Sequence, residues 1–382
     1  MRANVPGEIP LFNRQDAFLT SRPFHATVPF VQDDPLYERG LRALTREGVF
    51  YDKSADQTVT CWACANTCEI RPGKAGICRV RFNEGGLLRV PWGYVSSLAV
   101  DPIEKKPFYH FLPAAATLSF GMLGCNFKCP FCQNWHMSQT LKDERAGADC
   151  FKISPEQMIE SAKARQIRIV VSTYNEPMIT SEWSATVFKQ ARAAGMKTGF
   201  VSNGYGHSRI VAELKDVVDC WNVDLKAFRD AFYRGLGGRL NAVCDTIKAI
   251  HEAGIWCEVI TLLIPGRNDS PEEIRDMARF VASVSPSIPW HVSAFHPDYK
   301  MTDADSTSPS RLLEAAQIGK EEGLEYVYAG NVPGSVGDLE KTFCPKCHAM
   351  LIERFGFRVT RNRLGSDGKC PACGHAIAGV WR

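Results

Sequence analysis

Three cysteines stand close together in the stretch GCNFKCPFCQNW, at residues 124–135, in the order Cys-x3-Cys-x2-Cys: Cys125, Cys129 and Cys132. A structural zinc ion or a closed iron–sulfur cube takes four protein ligands, so a triplet either borrows a distant fourth ligand, such as His136, or leaves one metal position open. Three thiolates on one loop can hold three irons of a [4Fe–4S] cluster. The fourth iron is then free to bind a small-molecule chelate, and an open position of this kind is where chemistry can take place.

Two further groups of cysteines have spacings that indicate metal sites. The N-terminal cysteine group has gaps of two, three and nine residues and consists of Cys61, Cys64, Cys68 and Cys78. It fits one four-thiolate site, for which zinc and a second iron–sulfur cluster are both open, since each accepts four thiolates. The C-terminal cysteine group is Cys-x2-Cys twice and consists of Cys344, Cys347, Cys370 and Cys373. It predicts a structural zinc site in a zinc-ribbon-like module, in preference to a second redox centre.

The composition is that of an ordinary globular protein. Of 382 residues, 45% are hydrophobic and 23% are charged, the net charge is +3, and no run of like charges indicates binding to nucleic acid or to a membrane surface. No secretory signal is evident, and no window reaches the roughly 18 apolar residues of a membrane span. In a reducing cytosol, fifteen cysteines are better explained as metal ligands and buried small side chains than as disulfides. We therefore expect a cytoplasmic protein.

Strand-like and helix-like segments alternate after about residue 117. The strand-like segments are rich in β-branched residues and lie at 117–124, 168–174, 197–203, 220–226, 256–266 and 290–297. The pairs Ser154-Pro155 and Ser270-Pro271 predict helix starts between them, and a further helix is predicted over residues 36–48. Such alternation predicts an α/β fold with parallel strands and right-handed crossovers. We expect a partial (β/α)6 barrel, with a doubly wound open sheet as the competing architecture.

Polar side chains follow most of these strands at the point where the strand ends. Besides Cys125, they are Asn175, Glu176, Asn203, Asp224, Lys226 and His296. The carboxyl ends of the strands in a parallel α/β barrel face one mouth, so residues far apart in sequence converge there. The sequence therefore predicts a pocket in which the cysteine triplet is surrounded by these polar side chains.

The stretch around the triplet resembles the signature of the radical S-adenosylmethionine (SAM) superfamily, Cys-x3-Cys-x-aromatic-Cys, with Phe131 in the aromatic position. The resemblance implies that the amino and carboxylate groups of SAM bind the open iron of a [4Fe–4S] cluster. It implies further that the reduced cluster splits SAM into methionine and a 5′-deoxyadenosyl radical, which abstracts hydrogen from a substrate. An electron donor of the flavodoxin or ferredoxin type is implied as a partner.

The same resemblance implies SAM contacts at the strand ends. The superfamily usually carries a Gly-Gly-Glu turn that meets the SAM amino group, and residues 174–177, Tyr-Asn-Glu-Pro, stand in its place. Asn203, and Asp224 with Lys226, resemble positions that line the methionine and ribose side of SAM in glycyl-radical-enzyme activases. His296 resembles the histidine near the ribose.

Longer stretches resemble one family, the AmmeMemoRadiSam system radical SAM enzymes, which are related to pyruvate formate-lyase activating enzymes. They include DPIEKKPFYHFLP, CQNWHMSQ, STYNEP, VITLLIPGRNDS, PWHVSAFHPDYKM, YVYAGNVPG and CPACGHAIAGVW. The resemblance covers about residues 58–382 and implies two partners, a Memo-like protein and an AMMECR-type protein. The expected organisation is an N-terminal extension at 1–57, a Cys-rich segment at 58–112, a radical SAM core at 113–335 and the zinc-ribbon-like module at 336–382.

Three functions are open at this point. The leading hypothesis is a radical SAM enzyme that abstracts hydrogen from an unidentified substrate shared with its Memo-like partner. The second is an activase that installs a glycyl radical on a large partner protein. The third is a metal-dependent interaction scaffold that has kept its metal sites and lost turnover. The presence of both the triplet and the strand-end residues favours an enzyme.

Overall fold

The computed structural model describes residues 27–28 and 40–382. Its largest element is an eight-stranded sheet in which seven strands run parallel. In order, the parallel strands are Ala116–Gly121, Ile169–Ser172, Lys197–Ser202, Cys220–Asp224, Trp256–Leu263, Trp290–Ala294 and Val327–Gly330. The first six confirm the predicted strands, and the seventh adds one parallel strand to the expected six. The eighth member, Ser97–Pro102, pairs antiparallel with the first parallel strand.

The strand order of this sheet decides between the two architectures that the sequence left open. Each parallel strand pairs with the one that follows it in sequence, from one edge of the sheet to the other. A doubly wound sheet would reverse its order at a switch point, so that alternative is wrong. Within residues 40–382, the edge strands Ser97–Pro102 and Val327–Gly330 do not pair with each other. Closure of the sheet toward a partial barrel stays a prediction.

Helices connect the parallel strands, as expected. They are Trp135–Ser138, Pro155–Ala164, Ser181–Ala193, Ile210–Leu214, Asp230–Leu236, Leu240–Glu252, Pro271–Val284 and Pro309–Glu321, with 3-10 turns at Ile103–Lys105, Pro177–Thr180 and Gly337–Glu340. The side chains of Ser154 and Ser270 accept hydrogen bonds from the first turn of their helices, which confirms the two predicted starts. In the part of the chain that the structure describes, no helix combines the length and the apolar character that a membrane crossing requires.

Small antiparallel sheets are built mainly from strands that precede the parallel sheet in sequence, together with Cys150–Lys152, which follows the first parallel strand. Their strands are Thr27–Val28, Thr45–Glu47, Tyr51–Lys53, Val59–Cys61, Cys68–Ile70, Phe82–Glu84, Leu87–Pro91, Tyr94–Val95 and Cys150–Lys152. The helix predicted over residues 36–48 is wrong in its last turn, and residues 36–39 lie outside the described residues. Residues 40–43 are helical, whereas Thr45–Glu47 pairs with Leu87–Pro91 and the N–H of Gly48 donates to the carbonyl of Leu88. Pairing with a distant strand overrides the local helical preference.

The segment before the first parallel strand and the end of the chain pack against the sheet. Phe108 and Phe111 are fully buried with Ile169 and Val171 in one apolar cluster. A second cluster joins the strand Val327–Gly330 to the C-terminal strands. Those strands are Thr342–Phe343, Met350–Phe355 and Arg358–Asn362, which form a sheet of their own. The C-terminal sheet is thus fixed beside the last parallel strand.

Candidate active site

The cysteine triplet and the strand-end residues lie around one cavity of about 520 Å³. It is lined by every residue that the sequence proposed for the cluster and for SAM: Cys125, Cys129, Phe131, Cys132, Asn175, Glu176, Asn203, Asp224, Lys226 and His296. The volume falls in the range of about 300–1,000 Å³ that is usual for pockets that bind small molecules. Parallel strands in sequence order bring these side chains together, because all their carboxyl ends reach the same edge of the sheet. The role of each residue as a ligand stays a prediction.

The loop that carries the triplet is held by its own hydrogen bonds. The N–H of Phe127 donates to the sulfur of Cys125 over 3.4 Å, and the hydroxyl of Ser138 lies 3.2 Å from the sulfur of Cys132. The ammonium of Lys142 donates to the backbone carbonyl of Cys125 over 2.6 Å. The ring of Phe127 is fully buried and packs on Tyr205 at 5.2 Å. These contacts place the sulfurs before any metal is bound.

The three sulfurs fit a cluster better than a single ion. No three ligand atoms that include them lie within 4.8 Å of one another in the described part of the chain, as a single tetrahedral ion would require. His136, the fourth ligand of the zinc alternative, is exposed and stacks on Trp135 at 3.7 Å. A cluster fits because each thiolate binds a different iron, which allows wider spacing. The amide nitrogen of the adjacent Asn126 is buried without an acceptor, and a cluster sulfur could supply one.

Burial raises the pKa of the triplet thiols. The pKa of Cys125 rises to about 12, and those of Cys129 and Cys132 also rise. The thiols are therefore protonated at neutral pH when no metal competes. Since metals bind the thiolate, loading of this site must release protons.

Glu176 links the loops that follow the second and third parallel strands. Its carboxylate accepts hydrogen bonds from the N–H of Met178 over 3.0 Å, from the hydroxyl of Ser202 over 2.8 Å and from the N–H of Asn203 over 2.7 Å. The side chain is buried, and burial raises its pKa to about 7 despite these donors. Glu176 thus sits near the point of ionisation at neutral pH, where a cation in the cavity would favour its charged form.

Tyr174 stands where the resemblance to the superfamily turn leads us to expect glycine. Its backbone has a φ of 72°, in the left-handed region that glycine adopts without strain. The phenol is held in place: it accepts a hydrogen bond from Lys106 over 3.0 Å and donates one to Asp101 over 3.3 Å. These two hydrogen bonds help to hold Tyr174 in the left-handed conformation.

Asp224 and Lys226 form an ion pair at the end of the fourth parallel strand. Burial alone would lower the pKa of Lys226, but attraction to Asp224 and to the Cys129 sulfur outweighs it, and the pKa is raised. Lys226 is therefore a permanent cation beside the triplet. The second carboxylate oxygen of Asp224 is buried and has no partner within residues 40–382. A hydroxyl or ammonium group of a bound ligand could satisfy that oxygen.

Sequence reasoning missed several residues that line the cavity. The side-chain amide nitrogen of Gln133 donates a 2.9 Å hydrogen bond to Nε2 of His296. Gln133 directly follows the triplet, and this position could have indicated it. Phe357 also lines the cavity, although it lies in the turn between Met350–Phe355 and Arg358–Asn362 of the C-terminal sheet. The sequence holds no signal for that approach, because it depends on how the C-terminal sheet docks.

The C-terminal cysteine group has the geometry of a tetrahedral site. The sulfurs of Cys344 and Cys373 are 3.7 Å apart, and those of Cys347 and Cys370 are 3.6 Å apart. Four thiolates about 2.3 Å from one zinc ion would lie about 3.8 Å from each other. The two turns are alike, since Cys344 and Cys370 each donate a backbone hydrogen bond to the residue five positions later. These residues fit zinc, whose presence stays a prediction.

The N-terminal cysteine group is built differently. Cys61 and Cys68 face each other on paired strands, and Cys64 forms an isolated bridge with Gly206. In the described residues, the C-terminal group alone brings three or more metal-ligating atoms within 4.8 Å of one another. The sulfurs of the N-terminal group are thus not closed around a single-ion site.

The sequence is similar to a superfamily profile and to individual proteins. The sequence profile of the Radical SAM superfamily matches residues 121–281, which include the triplet and the ends of the first five parallel strands. The chain is 39% identical over 335 residues to the uncharacterized protein MJ0808 of Methanocaldococcus jannaschii, over 87% of this chain and 98% of that protein. It is 22% identical over 226 residues to the pyruvate formate-lyase-activating enzyme of Clostridium pasteurianum, over 55% of this chain and 92% of that enzyme.

Solved structures show weaker similarity. A domain of pyruvate-formate lyase-activating enzyme from Bacteroides vulgatus has a TM-score of 0.38 and 20% identity, over 42% of this chain and 98% of that chain. A radical SAM methyltransferase from Sphaerobacter thermophilus has a TM-score of 0.44 and 17% identity, over 57% of this chain and 67% of that chain.

Proposed function

We propose that this chain, whose residues 121–281 match the profile of the Radical SAM superfamily and which is similar to a pyruvate formate-lyase-activating enzyme, cleaves SAM at a [4Fe–4S] cluster held by the triplet. The observation that carries the proposal is the single cavity onto which the triplet and the strand-end residues open. The bound cluster and SAM supply one-electron cleavage to methionine and a 5′-deoxyadenosyl radical, which takes a hydrogen atom from the substrate.

The residues of the chain have separate tasks in this proposal. Cys125, Cys129 and Cys132 hold the cluster, and Lys226 offsets part of its negative charge. The ionised carboxylate of Glu176 attracts the SAM amino group. The unpartnered oxygen of Asp224 accepts a hydrogen bond from a SAM hydroxyl or ammonium group.

Asn203, Phe131 and His296 complete the SAM site. Asn203 lies between Glu176 and the cysteine loop and contributes to the methionine side. Phe131 and His296 contact the ligand from its remaining side. The cavity walls are contributed by the parallel sheet, the cysteine loop and the C-terminal sheet together.

We place the enzyme more narrowly with the AmmeMemoRadiSam system. Its substrate would then be shared with a Memo-like and an AMMECR-type protein, and its electron would come from a donor of the flavodoxin or ferredoxin type. The length of the chain supports this placement over a simple activase. The alignment with the Clostridium pasteurianum activating enzyme leaves 45% of this chain unmatched, enough to include separate cysteine-bearing modules.

A glycyl-radical activase is the second candidate, supported by the name of that same relative. An activase must admit a glycine loop of a large protein into its cavity. Here Phe357 of the C-terminal sheet stands at the cavity wall, which favours a smaller substrate. A scaffold without turnover has the least support, since it would not require the buried, partly unpartnered polar atoms of the cavity.

The deciding experiment is an assay for 5′-deoxyadenosine after anaerobic reconstitution with iron and sulfide. Cys129→Ala should abolish its formation, whereas Cys244→Ala, a buried cysteine on the helix Leu240–Glu252, should leave it intact. Wild-type turnover in Cys129→Ala would refute the assignment. A glycyl-radical signal on a large polypeptide, dependent on this protein in cell extract, would select the activase instead.

A further inference from the structure

The N-terminal cysteine group lies against the loop that carries the triplet. An added Cβ on Gly124, directly before Cys125, would be 3.2 Å from the backbone carbonyl of Cys78 and 2.7 Å from the side chain of Val80. The N–H of Ala65, directly after Cys64, donates to the carbonyl of Tyr205. The first contact holds the N-terminal group against the triplet loop, and the second holds it against the loop after the third parallel strand.

The sulfurs of the N-terminal cysteine group are too far apart to bind one metal ion together. In residues 40–382 the group does not bring three sulfurs within 4.8 Å of one another, whereas the C-terminal group brings four. The thiols of Cys61, Cys68 and Cys78 nevertheless all interact electrostatically with Cys64 or with each other, so the four form one cluster of side chains. The triplet likewise brings no three ligand atoms within 4.8 Å of one another, and spacing wider than that of a single-ion site suits thiolates that bind different irons of one cube.

Hydrogen-bond donors surround the group and lack acceptors. Three side-chain nitrogens in this segment are buried and have no partner among the described residues: Nε1 of Trp62, Nδ2 of Asn66 and Nε of Arg81. Backbone N–H groups already serve the cysteines, for example that of Asn66 at Cys64 and that of Val80 at Cys78. A cube brings bridging sulfides in addition to four thiolates and therefore offers acceptors that a zinc ion does not.

The group also has a cationic neighbour. Arg81 is almost completely buried and pairs with Glu182 through two hydrogen bonds of 2.7 Å. Its guanidinium lies close enough to Cys61 and Cys78 to interact electrostatically with their sulfurs. A permanent guanidinium beside four thiolates offsets the negative charge of a bound cluster in either oxidation state.

We propose that Cys61, Cys64, Cys68 and Cys78 hold a second iron–sulfur cluster, not zinc, that passes single electrons to the triplet cluster. Its role as a relay rests on the proposed function; its presence does not. In each cycle the second cluster takes one electron from a flavodoxin- or ferredoxin-type donor and gives it to the triplet cluster, which uses it to break one carbon–sulfur bond of SAM. Cys68 is only half-buried and Ile77 is 51% exposed, so this group lies closer to the surface.

The presence of the cluster is tested in the full chain after Cys125→Ala, Cys129→Ala and Cys132→Ala are combined. This variant should still bind about four irons and about four sulfides per chain and show an iron–sulfur absorption band. Adding Cys64→Ser and Cys68→Ser should remove both. Zinc in place of iron in the triple variant would overturn the proposal. Because no SAM turnover is needed, failure of the proposed function would leave this result unaffected.

The relay is tested in the variant Cys64→Ser with Cys68→Ser, in which the triplet is intact. With reduced flavodoxin as donor, the rate of SAM cleavage should fall several-fold, while dithionite, which can reach the cavity directly, should restore most of it. Equal rates with flavodoxin in variant and wild type would exclude a relay. Electron paramagnetic resonance of the fully reduced wild type provides a check that does not depend on mutation. Magnetic coupling between the two clusters is expected. Two uncoupled signals would contradict the proximity of the second cluster to the triplet cluster.

Discussion

Asn203 donates a hydrogen bond of 2.7 Å from its side-chain nitrogen to the side-chain oxygen of Asn126. The bond joins the loop after the third parallel strand to the cysteine loop, directly beside Cys125. The backbone N–H of Asn203 donates to Glu176 over 2.7 Å, and its side-chain oxygen accepts from the N–H of Tyr205. Through its backbone and its side chain, Asn203 therefore links three loops around the cavity.

Replacement of Asn203 should weaken SAM binding without removing the cluster. Asn203→Ala leaves the buried oxygen of Asn126 without its donor, which costs about 1–3 kcal/mol. We expect a higher KM for SAM with unchanged iron content, measured on reconstituted protein. Asn241→Ala, at an exposed position on a helix, is the matched control and should change neither value. A loss of iron in Asn203→Ala would show that the residue supports the cluster instead.

SAM binding should depend on pH through Glu176. Its pKa is raised to about 7 by burial, so the carboxyl is largely neutral below that pH and charged above it. A charged carboxylate accepts a hydrogen bond from the SAM amino group more strongly than a neutral carboxyl does, so affinity should rise with pH by up to about tenfold per unit below pH 7 as Glu176 ionises. Glu176→Gln should bind more weakly and remove this step. Equal pH profiles in variant and wild type would assign the titration to another group.

The C-terminal cysteine group should keep zinc when iron is lost. Zinc has no redox chemistry, so exposure to air should bleach the iron sites and leave about one zinc per chain. Cys347→Ser should remove that zinc, and Cys61→Ser, as the control, should not. Elemental analysis before and after exposure provides the measurement. Zinc that disappears with Cys61→Ser would mean that the ion occupies the N-terminal group.

The C-terminal sheet should depend on a buried ion pair. Arg354 and Glu104 are both fully buried, with Nε and Oε1 3.5 Å apart, and Arg354 also donates to the carbonyl of Tyr109 over 2.8 Å. Arg354→Met leaves a buried carboxylate unpaired and should lower the free energy of unfolding by about 3–5 kcal/mol. Arg358→Met, an exposed neighbour in the same sheet, should cost little. The free energy of unfolding of both variants and of the wild type is measured by denaturant titration, with zinc bound in all three. Similar losses of unfolding free energy in Arg354→Met and Arg358→Met would contradict a stabilising role of the buried ion pair.

Much of the fold was predictable because its signals are local. The alternation of β-branched and amphipathic segments gave six of the seven parallel strands, and Ser154 and Ser270 marked helix starts through hydrogen bonds within one turn. The seventh strand, Val327–Gly330, was missed, and Thr45–Glu47 was taken for helix. Both segments owe their conformation to strand partners distant in sequence, which local preference does not reveal.

The sequence by itself determined which residues could take part in the reaction. It contains the spacing of Cys125, Cys129 and Cys132 and the polar residues at the strand ends. Tertiary structure decided how far apart those atoms stand. In the C-terminal cysteine group, paired sulfurs lie 3.6–3.7 Å apart, whereas the N-terminal cysteine group brings no three sulfurs within 4.8 Å of one another in the described residues. Both are four-cysteine patterns in the sequence. Tertiary structure also gave Glu176 its three donors and brought Phe357 to the cavity. Spacing along the chain limits which residues can meet, but distances between sulfurs and the burial of a carboxyl arise only when separate loops pack together.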